Sequence, residues 1–269
     1  QQDALPGIIF NYDRAVCERM CRTVLNQLEE AESEWKRTSP RWAEKLREWE
    51  EYKKETARRA KQGVRAAKGT TKEEQMMEAA NREVSAFATF DPDRPLEGFH
   101  FANAKKLSNE ELLSQEKELR YRGVEELFIK GLQRGIGVHH AGMNRKYRYA
   151  VEVLFRRGYL RVVIATGTLA LGINMPCKTV VFSGDSIFLT ALNYRQAAGR
   201  AGRRGFDSLG NVVFHGVSLS KINKLISSRL PDLNGHFPIT TTLVLRLFTL
   251  LNDSEHSPFA VRCVNALLS

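Results

Sequence analysis

One short segment, residues 196–205, concentrates side chains that bind anions. It reads Gln-Ala-Ala-Gly-Arg-Ala-Gly-Arg-Arg-Gly, with three arginines in five positions and glycines beside them. No Asp or Glu occurs between residues 186 and 206, so we expect that local carboxylates do not neutralise all three charges. Guanidinium groups in a pocket that glycines keep open suit phosphate oxygens, which they bind in bidentate geometry.

Two interpretations of this segment differ in what the arginines do. Arg200 and Arg203 are three positions apart and would point the same way on a helix, which favours one shared anion. The other interpretation is a solvated basic helix end, but it gives the glycines no purpose. We therefore predict a phosphate site that includes Arg200 and Arg203.

A second segment, Arg161 to Pro176, reads as a strand, a Thr-Gly-Thr turn and one helical turn. Thr166 and Thr168 supply hydroxyls, and the start of a helix supplies unpaired backbone N–H groups. The helix dipole favours negative charge at that position. The turn is a second candidate anion site.

These segments need a scaffold, and five apolar runs provide one. Continuous rather than alternating apolar character indicates strands buried on both faces, hence a parallel sheet covered by helices. The alternation of strands and helices predicts an open α/β fold with ligands at the carboxyl ends of the strands. The runs are Gly7–Phe10, Ile136–His139, Val162–Ala165, Thr179–Phe182 and Asn211–Phe214.

A long charged segment, residues 22–98, interrupts this alternation with helical periodicity. Ser39-Pro40 reads as a helix start, and Trp35, Trp42 and Trp49 recur every seven residues as an apolar stripe. We predict an inserted helical arm that folds on itself. Its 15 basic and 13 acidic residues over 22–85 favour mutual neutralisation, while a nucleic-acid grip by the basic run 53–68 stays the alternative.

The net charge of +10 is unevenly distributed. Residues 131–269 carry 17 basic and 6 acidic side chains, which predicts a surface for a polyanion or for an acidic protein. The four cysteines are too few for a disulfide framework, and Cys17 and Cys21 lack a second Cys/His pair for zinc. We expect buried thiols in a reducing, cytoplasmic setting and, without a long apolar run, no membrane span.

Four segments together resemble the second RecA-like domain of superfamily 2 helicases. Residues 196–203 are similar to motif VI and residues 165–176 to motif V of that family. Residues 137–143, Gly-Val-His-His-Ala-Gly-Met, are similar to a motif of DExH RNA helicases of the Ski-complex type. Residues 8–14, Ile-Ile-Phe-Asn-Tyr-Asp-Arg, resemble motif IV, and further segments after Cys177 are most similar to the DExD/H-box helicase 60 group, implicated in antiviral RNA responses.

The resemblance implies a role for each matching residue. Arg200 and Arg203 would be arginine fingers on the γ-phosphate of ATP, with Gln196 beside them as a catalytic residue. Gly172 and Asn174 would line the nucleotide side. RNA, single-stranded or duplex, would be held by its phosphates; the residues implied for this are Asn11, Arg14, Gly142, Thr166 and Thr168.

The resemblance also implies what must come from elsewhere. The chain has no Gly-Lys dipeptide for a P-loop and no Asp-Glu dipeptide for a metal-holding box, so we expect the first RecA-like domain of the same protein to bind Mg²⁺. We expect this chain, which also lacks an initiator Met, to be part of a longer protein and inactive alone. His139 and His140 have no third ligand nearby, so no metal site is expected.

The expected organisation is a RecA-like open parallel sheet with a long inserted helical arm. Residues 1–21 and 99–235 form the RecA-like domain, 22–98 the arm, and 236–269 a helical extension that begins a winged-helix-like region. The apolar helix at 240–251 would be either a lid or the start of that region. The expected function is an ATP-dependent RNA helicase; an RNA-binding signalling protein with secondary ATPase and a related DNA helicase stay open.

Overall fold

A computed structural model describes residues 4–66, 90–170, 175–230 and 240–268 of the chain. Its sheet has five strands in the order β2-β3-β1-β4-β5, and every neighbouring pair is parallel. The predicted α/β class and all five predicted strands are confirmed. The strands are β1 (Gly7–Phe10), β2 (Ile136–His139), β3 (Val162–Ala165), β4 (Thr179–Ser183) and β5 (Asn211–His215).

Helices lie between most of the strands, as parallel pairing requires crossover connections. In the first part of the chain these are α1 (Arg14–Thr38), α2 (Pro40–Ala66), α3 (Asn109–Tyr121), α4 (Glu126–Gln133) and α5 (Arg145–Arg156). The rest are α6 (Ala191–Ala198), α7 (Leu219–Ser227), α8 (Thr241–Asp253) and α9 (Pro258–Leu268), with short 3₁₀ turns at Ala104–Lys106 and Gly167–Ala170.

The sheet is largely buried from β2 to β4 and is exposed along β5. All four residues of β2 are buried, and Val163, Ile164 and Val180 are among the least exposed side chains of the core. In β5, by contrast, Val212 and Val213 are 37% and 45% exposed. The expectation that every strand is buried on both faces is therefore wrong for β5, although the other edge strand, β2, is fully buried.

Helix α1 crosses the expected boundary between domain and arm at residue 22. Cys17, Cys21 and Leu25 on α1 are buried in the core against α4 and the sheet. Seven residues further, Glu32 is 4% exposed and pairs with Arg134 at 2.7 Å, just before β2 begins. The helix therefore belongs to the domain as far as Glu32, and its later residues lie beyond the amino ends of the strands.

The arm begins at the junction between α1 and α2. Ser39 ends α1, and its hydroxyl accepts the backbone N–H of Trp42 at 3.4 Å, so the helix start predicted at Ser39-Pro40 is confirmed. The Trp42 and Trp49 rings contact Phe90 at centroid distances of 5.8 and 6.0 Å. Residue 90 thus returns to the base of α2.

The charged stretches of the arm follow one another along the same helix. Helix α2 is continuous from Pro40 to Ala66, so the basic run that starts at Lys53 follows the acidic residues 48–51 along one helix. Residues 53–58 are exposed, and Lys53 lies 4.2 Å from the centroid of Trp49. Mutual neutralisation of the charges over residues 22–85 stays a prediction, because part of that range lies outside the described residues.

The last part of the chain, from Arg229, is a second compact unit. Within it, α8 contacts α9, and the predicted apolar helix at 240–251 is observed as Thr241–Asp253. The Ser257 hydroxyl accepts the backbone N–H of Ala260 at 3.3 Å at the start of α9. Among the helices that the structure describes, none is long and apolar enough to cross a membrane.

Candidate nucleotide and nucleic-acid surfaces

The turns after β1, β2 and β3 meet at one end of the sheet, which we call the carboxyl edge (residues 11–14, 140–144 and 166–170). Parallel register brings them together, since Phe10 is level with Ala165 and His139 is level with Ala165 on its other side. The backbone N–H of Asn11 donates to Ala165 O at 3.0 Å, and that of Thr166 donates to His139 O at 3.2 Å. The five residues predicted to bind RNA all lie at this edge.

The Asn11 side chain braces the edge from within. Its Nδ2 donates to Ser183 O, at the end of β4, at 2.6 Å, and its Oδ1 accepts the N–H of Asp13 at 2.8 Å. Arg14 is exposed in the first turn of α1, and its aliphatic part lies beside Gly142. Of these two predicted RNA contacts, Arg14 is the one that presents a charge at the surface.

The turn that contains Gly142 is held by a buried histidine. The Gly142 N–H donates to His140 Nδ1 at 3.2 Å, and His140 Nε2 lies 3.0 Å from Glu18 Oε1 on α1. Burial lowers the pKa of His140, partly opposed by Glu18. A neutral ring with its proton on Nε2 satisfies both bonds. The His140 side chain therefore holds the turn at Gly142 in place.

The Thr-Gly-Thr turn is packed under a tyrosine ring. Thr166 Oγ1 and Thr168 Oγ1 are 3.1 Å apart, and a Cβ on Gly167 would come within 2.8 Å of the Tyr12 ring. Glycine is therefore required because the ring approaches the backbone. Burial raises the pKa of Tyr12 to about 12, and its hydroxyl has no hydrogen-bond partner among the described residues.

The arginine segment (residues 199–207) lies at the other end of the sheet. Helix α6 starts beyond the end of β4 and ends at Ala198, after which Ala201 pairs with Cys177, two residues before β4 begins. Cys177 N donates to Arg200 O at 2.9 Å, and Gly202 N donates to Cys177 O at 2.7 Å. The backbone of Arg200 to Gly202 therefore lies near the amino end of β4, whereas the predicted RNA residues lie at the carboxyl edge. Gln196 is half-buried on α6.

The expectation that Arg200 and Arg203 share one helix face is wrong. Gly199 ends α6, and Gly202 has a φ of 90°, in the left-handed region that favours glycine. Gly210 packs so closely on this turn that a Cβ would lie 2.6 Å from Gly202 N and closer still to the carbonyl of Ala201. The glycines shape an irregular turn that directs the two arginines separately.

Arg200 is bound by a backbone oxygen. Its Nη2 donates to Ala170 O at 2.7 Å, at the end of the 3₁₀ turn that starts at Gly167. Its Nε is buried without a hydrogen-bond partner, and among the described residues no carboxylate is within ion-pair distance of it. Its charge is available to an anion that approaches from outside.

Arg203 is bound by a carboxylate that the sequence interpretation missed. Its Nε and Nη2 donate to the two oxygens of Asp207 at 2.7 and 2.8 Å. Asp207 stands one residue beyond the acid-free window of 186–206 and neutralises Arg203, which leaves intact the prediction that local carboxylates do not neutralise all three arginines. The guanidinium beside it holds the pKa of Asp207 well below its usual range.

Two predicted nucleotide residues, Gly172 and Asn174, lie outside the described residues.

In the described part of the chain, no three His, Cys, Asp or Glu side chains come together to hold a metal ion. His139 and His140 are instead each paired with a glutamate, Glu152 at 2.9 Å and Glu18 at 3.0 Å. Burial raises the pKa of Cys17 and Cys21 to about 12, which keeps both as neutral thiols.

Comparison with known families matches two parts of this architecture. Residues 104–205 match the helicase conserved C-terminal domain, and residues 233–269 match the winged helix domain of DDX60-like proteins. The chain carries the second RecA-like domain of a superfamily 2 helicase. The range that matches the helicase domain contains β2, β3 and β4. It also contains the turns at Gly142 and Thr166 and the arginines of the arginine segment.

The relatives of this helicase domain include proteins of the Ski-complex type. An uncharacterized helicase of Caenorhabditis elegans is 37% identical over 263 residues, 95% of this chain and 15% of the relative. The human protein named "Probable ATP-dependent RNA helicase DDX60-like" is 58% identical over 123 residues, 46% of this chain and 7% of the relative. Mouse superkiller complex protein 2 is 39% identical over 127 residues, 43% of this chain and 10% of the relative.

The chain thus spans about 15% of the length of the first of these relatives and less of the others. Within the helicase domain, sequence interpretation found the segments but missed the residues that brace them. Asp207 could have been found by extending the acid count by one position. Tyr12 and Glu18 carry no sequence signal, because their partners are 155 and 122 positions away.

Proposed function

We propose that the longer protein of which this domain is a part hydrolyses ATP and uses the energy to move along or open RNA. In this proposal Arg200 and Arg203 stabilise the charge that develops on the γ-phosphate, with Gln196 beside them. Gly172 and Asn174 line the same side. The Mg²⁺ ligands and the phosphate-binding loop come from the first RecA-like domain of the same protein, with which this domain closes on ATP.

One contact carries the proposal: the 2.7 Å hydrogen bond from Arg200 Nη2 to Ala170 O. Ala170 ends the turn that begins at Thr166 on the carboxyl edge, whereas Arg200 belongs to the arginine segment. A single short stretch of chain therefore touches both the proposed RNA surface and the proposed nucleotide surface. Such a link is what an ATPase needs if RNA is to change its turnover.

The proposed RNA surface is suited to a phosphate backbone rather than to base edges. Arg14 supplies charge, and the turns at Gly142 and Thr166–Thr168 supply backbone N–H groups and hydroxyls. Contacts of this kind carry little sequence information, so we propose binding with little sequence preference. The name of the human relative, which includes RNA, favours RNA over DNA.

The test measures ATP hydrolysis by the full-length protein with increasing RNA, and separately with DNA of the same sequence. We expect turnover to rise with RNA and to rise less with DNA, while this chain alone gives no turnover. Equal stimulation by DNA would favour the DNA helicase interpretation. RNA binding without any stimulated turnover would favour an RNA-binding signalling protein.

We also propose a cytoplasmic location and a role in antiviral RNA responses, on the reduced cysteines and the family resemblance respectively. Imaging of the tagged full-length protein tests the first. Viral RNA levels in cells that lack the protein test the second.

A further inference from the structure

Asp207 is bonded to Arg203 more completely than a surface ion pair requires. Its Oδ2 accepts both the backbone N–H and the Nε–H of Arg203, at 2.9 and 2.7 Å, and its Oδ1 accepts from Nη2 at 2.8 Å. The Asp207 side chain is 3% exposed, and the Arg203 side chain that it binds is 32% exposed. The carboxylate is therefore enclosed by protein, while part of the arginine side chain lies at the surface.

The turn between the two residues is built to hold this geometry. The Arg203 carbonyl accepts from the backbone N–H groups of Phe206 and Asp207 at 3.0 and 2.9 Å, which places the carboxylate four positions on and directly over the arginine backbone. The Arg203 guanidinium also lies 5.7 Å from the ring of Phe206. A planar guanidinium bound at two points by a carboxylate has its plane fixed.

Arg200 shows the contrast. It keeps one side-chain hydrogen bond, to a backbone carbonyl, and no carboxylate within reach in the described residues. Two arginines three positions apart are thus held by different groups, one by a neutral acceptor and one by an anion. A carboxylate beside a residue that must bind phosphate opposes that binding, so its presence needs a reason other than ground-state affinity.

We propose that Asp207 is a positioning residue that fixes the Arg203 guanidinium for the transition state of ATP hydrolysis. The inference rests on the proposed function, because it takes Arg203 as a group that contacts the γ-phosphate. The Arg203 side chain remains 32% exposed beside the bound carboxylate, so a phosphate can still reach the arginine. The carboxylate orients the arginine and weakens its attraction for ATP in the ground state.

These two effects of the carboxylate predict that Asp207→Asn changes kcat and the KM for ATP differently in the full-length protein. We expect kcat at saturating RNA to fall by about 10- to 100-fold, as for a misplaced catalytic group. The KM for ATP should stay the same or decrease, because a negative charge beside the phosphate site is removed. A residue that only stabilised the fold would lower kcat in proportion to the unfolded fraction and would restore it at lower temperature.

A double-mutant cycle separates this inference from the proposed function. If Asp207 acts through Arg203, adding Asp207→Asn to Arg203→Ala changes kcat less than about twofold; a further drop of about tenfold would overturn the inference. Wild-type kcat in Asp207→Asn would also overturn the inference. In that case the kcat of Arg203→Ala still decides whether Arg203 acts in ATP hydrolysis. Wild-type kcat in Arg203→Ala would overturn both.

Two further variants complete the design. Glu126→Gln is the matched control, because Glu126 binds Arg120 at 2.9 and 3.0 Å with the same two-point geometry between α3 and α4. It should leave kcat and KM unchanged. If Asp207→Asn does not fold, Asp207→Glu is the alternative, because it keeps the charge and displaces the guanidinium. It should lower kcat with an unchanged melting temperature. An unchanged kcat in that variant would refute the positioning role of Asp207.

Discussion

The carboxyl edge and the arginine segment use their side chains in opposite ways. At the carboxyl edge the polar side chains are committed to internal bonds: Asn11 to Ser183 and Asp13, and His140 to Gly142 and Glu18. What this edge presents is backbone, the exposed side chain of Thr168 and one exposed arginine, Arg14. In the arginine segment the backbone is committed, to Cys177 and Gly210, and the side chains carry the charge.

This difference indicates how strongly a single substitution should affect each surface. A phosphate backbone that is read by many weak contacts tolerates the removal of one, so substitutions at the carboxyl edge should change affinity gradually. A γ-phosphate that is met by one or two guanidinium groups has no such redundancy. Substitutions in the two regions should therefore differ both in size and in which step they affect.

The largest effect should come from Arg200→Ala in the full-length protein. An arginine finger is worth about 10³-fold or more in rate, so RNA-stimulated ATP turnover should fall by that order. RNA affinity should change no more than a few-fold, because the carboxyl edge is intact. Steady-state ATP hydrolysis and RNA titration measure the two quantities, and Arg204→Ala, an exposed neighbour, is the control. Near wild-type turnover would remove Arg200 from the nucleotide site.

A smaller effect on the same step should follow from Gly210→Ala, which alters no arginine. The added Cβ would meet the backbone of Ala201 and Gly202 and force the segment to shift. Overpacking of this kind costs about 1 to 3 kcal/mol, and we expect turnover to fall about tenfold or more with RNA affinity unchanged. The exposed neighbour Ser208→Ala should behave as wild type. Weakened RNA binding with normal turnover would contradict the separation of the two surfaces.

A change at the carboxyl edge should appear in the salt dependence. Arg14→Ala should weaken RNA binding only modestly and reduce the slope of log affinity against log salt by about one unit, as expected when a single phosphate contact is removed. Turnover at saturating RNA should be unchanged. Arg22→Ala is the control, since Arg22 lies on the same helix and pairs with Glu125. Identical slopes for wild type and Arg14→Ala would take Arg14 out of the RNA surface.

The smallest effect should come from shortening the arm. Phe90 packs on Trp49, so a short Gly-Ser linker can join Tyr52 to Phe90 in place of residues 53–89. The base of the arm is tied to the amino end of β2 through Glu32 and Arg134, away from the carboxyl edge. We expect an unchanged salt slope for RNA binding. A slope shallower by about one unit for each phosphate that the arm had bound would mean that the arm grips RNA.

Much of the scaffold could be predicted because its signals are local. A run such as Val162–Ala165 is apolar over its whole length and is followed by a turn, which is sufficient to place a buried parallel strand. Ser39 before Pro40 was likewise sufficient for a helix start. How far α1 belongs to the domain could not be predicted, because its charged surface residues conceal the buried Glu32, whose partner Arg134 is 102 positions away.

The sequence by itself determined the class of the sheet, the strands within it and the segments that carry the candidate chemistry. Only the tertiary structure decided on which edge each segment lies and which side chains are already bonded. The physical reason is that strand and turn formation depend on neighbours along the chain, whereas the partners of Arg200 and His140 are brought together by parallel pairing of strands that are far apart in sequence. Asp207 is the exception: it is local, and what the structure added is the direction of its carboxylate.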